Sequence, residues 1–184
     1  MRKLLHYGGI AASVVLIAFG IGAVYMGITG RDYVRDNLAA EHIVGTPDST
    51  IPGQTVDTGA EAQAFAKVMR KHTLEATGGQ TYAQMARYLD ANGKPTDDAK
   101  AAAIDPKTKQ PVENGLRNLW VNETALTTAL NTAYFAEQVA TFAIVMGIAL
   151  LLAGVGFGVL SFQVLPAKRA TEDRAAAMTA VPTA

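Results

Sequence analysis

The sequence contains no cysteine, which removes disulfides, thiolate catalysis, iron–sulfur clusters and Cys-based zinc sites in one step. A region exported without disulfides must hold itself together by packing, internally or against a partner. Charge is also missing, but only locally. No Asp, Glu, Lys, Arg or His occurs from Tyr7 to Gly30, and none from Gln138 to Pro166. An ionisable residue inside a span costs roughly 3 kcal/mol or more and is the usual mark of transporters, proton relays and ion pathways. Charge-free runs make a poor one, unless many copies assemble around a pore. Signatures of catalysis are lacking as well. There is no hydrolase elbow, phosphate loop or dinucleotide fingerprint, and Gly78-Gly79 lacks the lysine and strand context of a phosphate loop. Asp97, Asp98 and Asp105 lack the ligand spacing of a calcium loop. We therefore expect no catalytic residue, no cofactor, no metal site and no nucleic-acid partner.

What is present is apolar sequence gathered at the two ends. Each charge-free run exceeds the roughly 20 residues that cross about 30 Å of hydrocarbon, too long for an ordinary buried core helix. Arg2 and Lys3 give the first run the basic start of a secretory signal. Its apolar part, Ile10 to Ile28, is longer than such signals use, and no A-x-A-like site closes it. It runs into Gly30-Arg31-Asp32, so an uncleaved anchor is the better reading.

The chain is formally neutral, yet its charges are sorted. Outside the connecting segment 31–138, Arg2, Lys3, Lys168, Arg169 and Arg174 outnumber Glu172 and Asp173 by three, so that segment carries an equal acidic excess. Basic residues near span ends prefer the cytoplasm, and long loops translocate largely regardless of charge. The expected order is a cytoplasmic N-terminus (1–6), a first span (7–30), an extracytoplasmic helical region (31–137), a second span (138–165) and a cytoplasmic tail (166–184). Arg31 and Arg35 speak mildly against this, offset in part by Asp32 and Asp36.

Between the spans, Arg31 to His42 continues the first helix until Gly45-Thr46-Pro47 interrupts. Thr46 to Gln54 reads as an extended connector. Thr58 with Glu61 forms a capping-box signature for a helix from Gly59 to about Ala76, with Phe65, Val68, Met69, His72 and Ala76 on one stripe and Gly78-Gly79 as its end. A short helix from Tyr82 to Leu89 is predicted next, then a surface loop over 93–115 containing three prolines. From Leu116 helical periodicity continues without a breaker into the second span. The fold class is thus all-α: a two-helix transmembrane hairpin whose long helices extend into a small extracytoplasmic helical cap. Trp120 and Tyr134, or Tyr33 and Val34, are expected in the seam above the membrane.

Small residues are the clearest pattern within the spans. Gly20, Gly22 and Gly27 in the first, with Gly147, Gly154 and Gly158 in the second, are the candidate helix-packing residues. Ala18/Gly22, Ala23/Gly27, Ala143/Gly147 and Gly154/Gly158 make small-xxx-small pairs of the kind that lets membrane helices approach closely. Their use is either oligomerisation and docking on a larger complex, or packing of the two spans on each other. His6, His42 and His72 fall on different segments; His6 is predicted across the membrane from the others, and lone helical histidines are more often packing or surface residues than ligands. Asn122-Glu123-Thr124 matches a glycosylation sequon but lies within a predicted helix.

The segments LEATGGQTYAQMARY (Leu74 to Tyr88) and DPKTKQPVENGLRNLWVNETALTTALNTAYFAEQVA (Asp105 to Ala140), with the glycine-rich second span, carry a resemblance. Over nearly its whole length the chain resembles a family of small two-span proteins, widespread in actinobacteria, some of which bear the label aromatic ring-opening dioxygenase. The resemblance implies a bacterial plasma membrane and supplies no site residues. It does not supply the clustered His and Glu that a catalytic iron of that kind needs. The leading expectation is a non-enzymatic accessory or assembly protein that packs in the bilayer on itself or on a larger membrane complex. The alternative is an extracytoplasmic ligand-binding or sensing protein, and third comes the dioxygenase.

Overall fold

The structure, a computed structural model, describes residues 2–164, with side chains from His6 to Phe162; the tail expected over 166–184 lies outside the described residues. Its elements are α1 (Arg2–Ala40), α2 (Gly59–Ala76), a 3-10 turn (Tyr82–Gln84), β1 (Tyr88–Leu89), β2 (Pro95–Thr96), α3 (Gly115–Val159) and a π turn (Leu160–Val164). They fall into two compact units. One is Tyr33–Glu137, and the other combines the residues before it with those after it. Both α1 and α3 contribute to each unit.

In the unit built from the chain's two ends, α1 and α3 are long and apolar enough to cross a membrane. Only 11% of the most apolar stretch of each is buried, whereas the core helix of a water-soluble protein is mostly covered. Large side chains such as Val14, Phe19, Tyr25, Phe142 and Leu152 lie open, a surface suited to lipid.

The few buried positions obey one rule. On α1, up to Asp32, they are Ser13, Gly20 and Gly27; on α3, from Gln138, they are Ala140, Gly147, Gly154 and Ser161. Every one is small, and on each helix they recur at intervals of seven. The pairing is antiparallel and keeps step. A Cβ added to Gly27 would stand 2.7 Å from the Ala140 carbonyl oxygen, and one on Gly20 would stand 2.8 Å from that of Gly147. Ser13 Oγ donates to the Gly154 carbonyl at 2.7 Å, and His6 Nδ1 donates to the Ser161 carbonyl at 2.8 Å. In lipid no hydrophobic effect drives helices together, so association comes from close packing and interhelical hydrogen bonds, which small residues permit. A strict seven-residue repeat keeps two helices in contact through a left-handed supercoil.

Of the glycines singled out by sequence, Gly20, Gly27, Gly147 and Gly154 lie in this seam. Gly158 stands beside it, its Cβ position 3.0 Å from Ser13 Oγ. Gly22 lies off the seam between α1 and α3: a Cβ there meets nothing within 4 Å. A four-residue rhythm picked it out, but the helices meet on a seven-residue one.

The unit Tyr33–Glu137 has a small core of Leu38, Val56, Ala62, Ala66 and Leu130, flanked by Val34, Ile43, Ile51, Phe65, Met69 and Ala133. After α1 the chain folds back on itself, where an extended connector was predicted. Gly45 N–H bonds Gln54 O and Val56 N–H bonds Ile43 O, both at 2.9 Å, and a side chain at Gly45 would collide with the Ile51 carbonyl. This return buries Val56 completely. α2 starts where its capping box predicts: Glu61 N–H donates to Thr58 Oγ1, and Glu61 Oε2 accepts from the Thr58 backbone N–H at 2.9 Å. It ends as Gly79, with φ of +79°, sends its N–H back to Leu74 O at 2.7 Å. Its buried face runs through Ala62, Ala66, Val68 and Thr73. His72 and Ala76, placed on the apolar stripe by sequence, are exposed, because the buried face of α2 follows Ala62, Ala66 and Thr73 instead.

Two further expectations are corrected. Tyr82–Leu89 is no helix: the Thr81/Gln84 box supports one 3-10 turn, after which the chain extends into β1. Nor is 93–115 a plain loop. β1 pairs antiparallel with β2, Tyr88 opposite Thr96, and isolated bridges join Tyr88 to Glu113, Asp90 to Ala102 and Ile104 to Pro111. Tyr33, expected in the seam, is 72% exposed, whereas Trp120 is 3% exposed and donates Nε1–H to Gln80 O at 2.9 Å.

The seam makes a direct prediction. G20A, G27A and G147A each force a methyl against backbone that cannot yield cheaply, and should destabilise the detergent-solubilised protein by about 1–3 kcal/mol. G22A and G156A, where a Cβ meets nothing, should leave stability unchanged or slightly higher. Equal responses in a thermal or SDS titration would refute the seam.

Candidate functional site

Three polar arrangements stand out in Tyr33–Glu137, and each is built by backbone features already described. The first joins all three helices. Glu137 on α3 is 7% exposed. Arg35 on α1 places Nε 2.7 Å and Nη2 2.6 Å from its Oε1, and its Oε2 accepts the backbone N–H of Gly59 at 2.5 Å. Gly59 opens α2, so the carboxylate also sits at the positive end of that helix. The position tolerates nothing larger: a Cβ on Gly59 would lie 2.8 Å from Tyr134 Cα. One buried charge thus fixes the start of α2 against α1 and α3. Arg35, which seemed to weigh against the charge-based orientation, is engaged here as an ion-pair partner.

The second arrangement lies on the surface. Asp48, in the folded-back loop, meets Lys71 Nζ at 2.9 Å and His72 Nε2 at 2.8 Å, and Thr46 Oγ1 donates to it at 2.8 Å. The hydrogen bonds from Lys71 and His72 hold its carboxyl well below the usual carboxylate range. The same contact with Asp48 raises Lys71. All are exposed, so the cluster adds little to stability and serves to tie the loop to α2. His42 closes α1 in the left-handed region, with φ of +53°. Among the described residues no group of three or more His, Asp or Glu is placed to hold a metal ion. The loop aspartates do local work. Asp97 accepts Arg87 N–H, Asp98 accepts Lys100 N–H, and Asp105 accepts those of Lys107 and Thr108, which holds the Asp105 carboxyl low.

The third is a cavity of about 340 Å³ lined by Tyr82, Arg87, Tyr88, Glu113, Asn114, Arg117 and Asn118. Three segments form it: the 3-10 turn, the entry to β1 and the first turn of α3. They are locked together by Asn114 N–H to Arg87 O at 2.9 Å and by Asn114 Nδ2–H to Ala86 O at 3.0 Å. Asn114 also caps α3, its Oδ1 accepting Leu116 N–H at 3.1 Å. Arg117 stacks on Tyr82, 4.0 Å from the ring centroid, and Arg87 lies 5.9 Å from that of Tyr88. Hydrogen bonding to Tyr88 raises the Arg87 guanidinium above its ordinary range. Elsewhere in this unit Glu123 is buried at 3% exposure; its Oε2 accepts from Thr124 Oγ1 at 3.3 Å.

Sequence reasoning singled out neither Glu137 nor the cavity residues. Glu137 does leave a signal, being the last charge before the second apolar run. Its partners lie 102 and 78 residues away, and no local pattern announces them.

No family model, no curated protein and no solved structure matches this chain.

The junction at Glu137 should be costly to break. E137A should destabilise the protein by about 2–3 kcal/mol, since it removes a charged acceptor from two partners. R35A should cost less, about 1 kcal/mol, because Arg35 is 43% exposed and Glu137 keeps Gly59. Comparing the two melting transitions checks the order, and a larger loss in R35A would contradict it.

Proposed function

We propose that the chain is a non-enzymatic accessory protein of the plasma membrane, with both termini cytoplasmic and 31–137 held outside as a small, mainly helical cap on a two-span hairpin. The observation that carries this reading is the division of labour along the helices. Between the spans, every buried position is a small residue spent on packing α1 against α3, and most of the large side chains face outward into lipid. Ionisable groups that could form a path or a reaction centre are absent from both runs. The anchor reading follows. Charged and hydrogen-bonding groups gather instead in Tyr33–Glu137, which is where a partner would be met. The excess of basic over acidic residues at the chain ends supports the orientation.

The partner is a larger membrane complex or further copies of this chain, met through the lipid-facing sides of α1 and α3 or through the outer unit. The dioxygenase reading has no support from the placement of His6, His42 and His72: His6 bonds the Ser161 carbonyl, His72 bonds Asp48, and His42 ends a helix.

Two measurements test the proposal. Since the chain has no cysteine, T108C is a single label site on an exposed segment. It should react with a membrane-impermeant maleimide on intact cells; reaction only after lysis would reverse the orientation. Purification in mild detergent should recover a stoichiometric assembly larger than one chain, and a monodisperse monomer would overturn the accessory role.

A further inference from the structure

The cavity between the 3-10 turn and the start of α3 has the chemistry of a receptor for an anion. It brings two arginines, Arg87 and Arg117, to one space whose lining contains no aliphatic side chain. A carboxylate or phosphate entering this space would meet positive charge from two side chains. Among the described residues no carboxylate lies within ion-pair distance of either guanidinium. Glu113 is the one acidic group in the lining and is exposed. Asp97, outside the lining, accepts the Arg87 backbone N–H at its Oδ1 and its charge bears on the Arg87 guanidinium, which it offsets in part.

The guanidinium groups are also held in place. Arg117 is stacked over Tyr82 and sends Nη1–H to Met85 O at 3.4 Å, while Arg87 lies over Tyr88. Stacking on Tyr82 covers a face of the Arg117 guanidinium and leaves most of its in-plane N–H edge open, the edge that grips carboxylate or phosphate oxygens two at a time, while Arg87 spends part of its edge on the Tyr88 side chain. Each arginine has five N–H donors, more than these contacts use. Tyr82, Tyr88, Asn114 and Asn118 supply further hydrogen-bonding groups, and the amide end of α3 adds a weaker attraction of the same sign. At about 340 Å³ the space is at the small end of ligand pockets, which fits a small acid better than a peptide.

We infer that this cavity binds a small molecule bearing an oxyanion, carboxylate or phosphate, clamped between Arg87 and Arg117. The inference goes beyond the accessory role and does not depend on which side of the membrane the unit faces. It names what the outer unit would recognise.

The test is calorimetric titration of the full chain in detergent at low ionic strength, with citrate in one arm and inorganic phosphate in the other. The expected result is a saturable, submillimolar Kd for at least one of them; the tighter arm identifies the source of the oxyanion. R87Q should weaken that binding at least about tenfold. Arg87 is exposed, so R87Q should leave the melting curve unchanged, which separates loss of binding from loss of fold. R117K, which keeps the charge but loses the fork, should weaken binding too. Three results would overturn the inference: no saturable binding of either probe up to about 10 mM, affinity unaltered in R87Q, or displacement by chloride at matched ionic strength equal to that by the probe itself, the mark of unspecific charge attraction.

Discussion

The close approach of α1 and α3 at Ser13/Gly154, Gly20/Gly147 and Gly27/Ala140 is the constraint from which the membrane-embedded part of this protein follows. Helices in lipid gain nothing from hiding apolar surface, since the tails around them are as apolar as leucine. They gain from contact between backbones, and a large side chain at any of these positions would hold the backbones apart. With glycine, alanine and serine filling the seam, Ile17, Val24, Ile144 and Leu151 close over it from the facing helix, and the other large residues turn outward. The exposed Val, Phe, Tyr and Leu of both helices are a consequence of the seam as much as of the bilayer. The Ser13 hydroxyl and the Ser161 carbonyl find partners only because the helices are close enough. The seven-residue repeat then sets the way the pair coils.

In Tyr33–Glu137 the same helices are joined by a different device. There the surroundings are aqueous in the proposed orientation, and a small core around Leu38, Val56 and Leu130 is reinforced by a nearly buried carboxylate. Glu137 is satisfied by a charge from α1 and a backbone amide from α2. A group of this kind is destabilising when left alone and specific when paired. Its value lies in fixing the angle and register at which α2 meets its neighbours. The alanines of α2 complete the arrangement by letting that helix lie close. The polar cavity depends on this order too, since Arg117 and Asn118 belong to the first turns of the same α3 that carries Glu137.

How much of this could be read from the sequence depends on the distance over which each feature is determined. The spans are a matter of composition, and α1, α2 and α3 are long elements with continuous periodicity; Thr58 and Glu61 are three residues apart and announce their helix. The segment Tyr82–Leu89 misled because Tyr82, Met85, Ala86 and Leu89 have helical spacing, while its strand forms only through pairing with Thr96 and Glu113. The glycine seam was half legible. Small residues are evident, but a four-residue spacing brings in Gly22, whereas the contacts between α1 and α3 follow Ser13, Gly20 and Gly27, every seven. The fold-back over 41–57 and the junction at Glu137 rest on contacts between remote segments, and the cavity assembles residues from three of them. None of these leaves a motif.

Cysteine pairs give the most direct test of the seam, and the absence of native cysteine makes the result unambiguous. Gly158 and Ser13 face each other with a Cβ–Cβ separation of 3.9 Å once Gly158 is given a side chain, close to the mean for disulfides of about 3.8 Å. Mild oxidation of S13C/G158C in native membranes should close a bond within one chain, visible as a faster-migrating monomer, while S13C/G156C should not close. A bond formed between two chains, or equal cross-linking of both pairs, would contradict the packing of α1 on α3 from which the rest is derived.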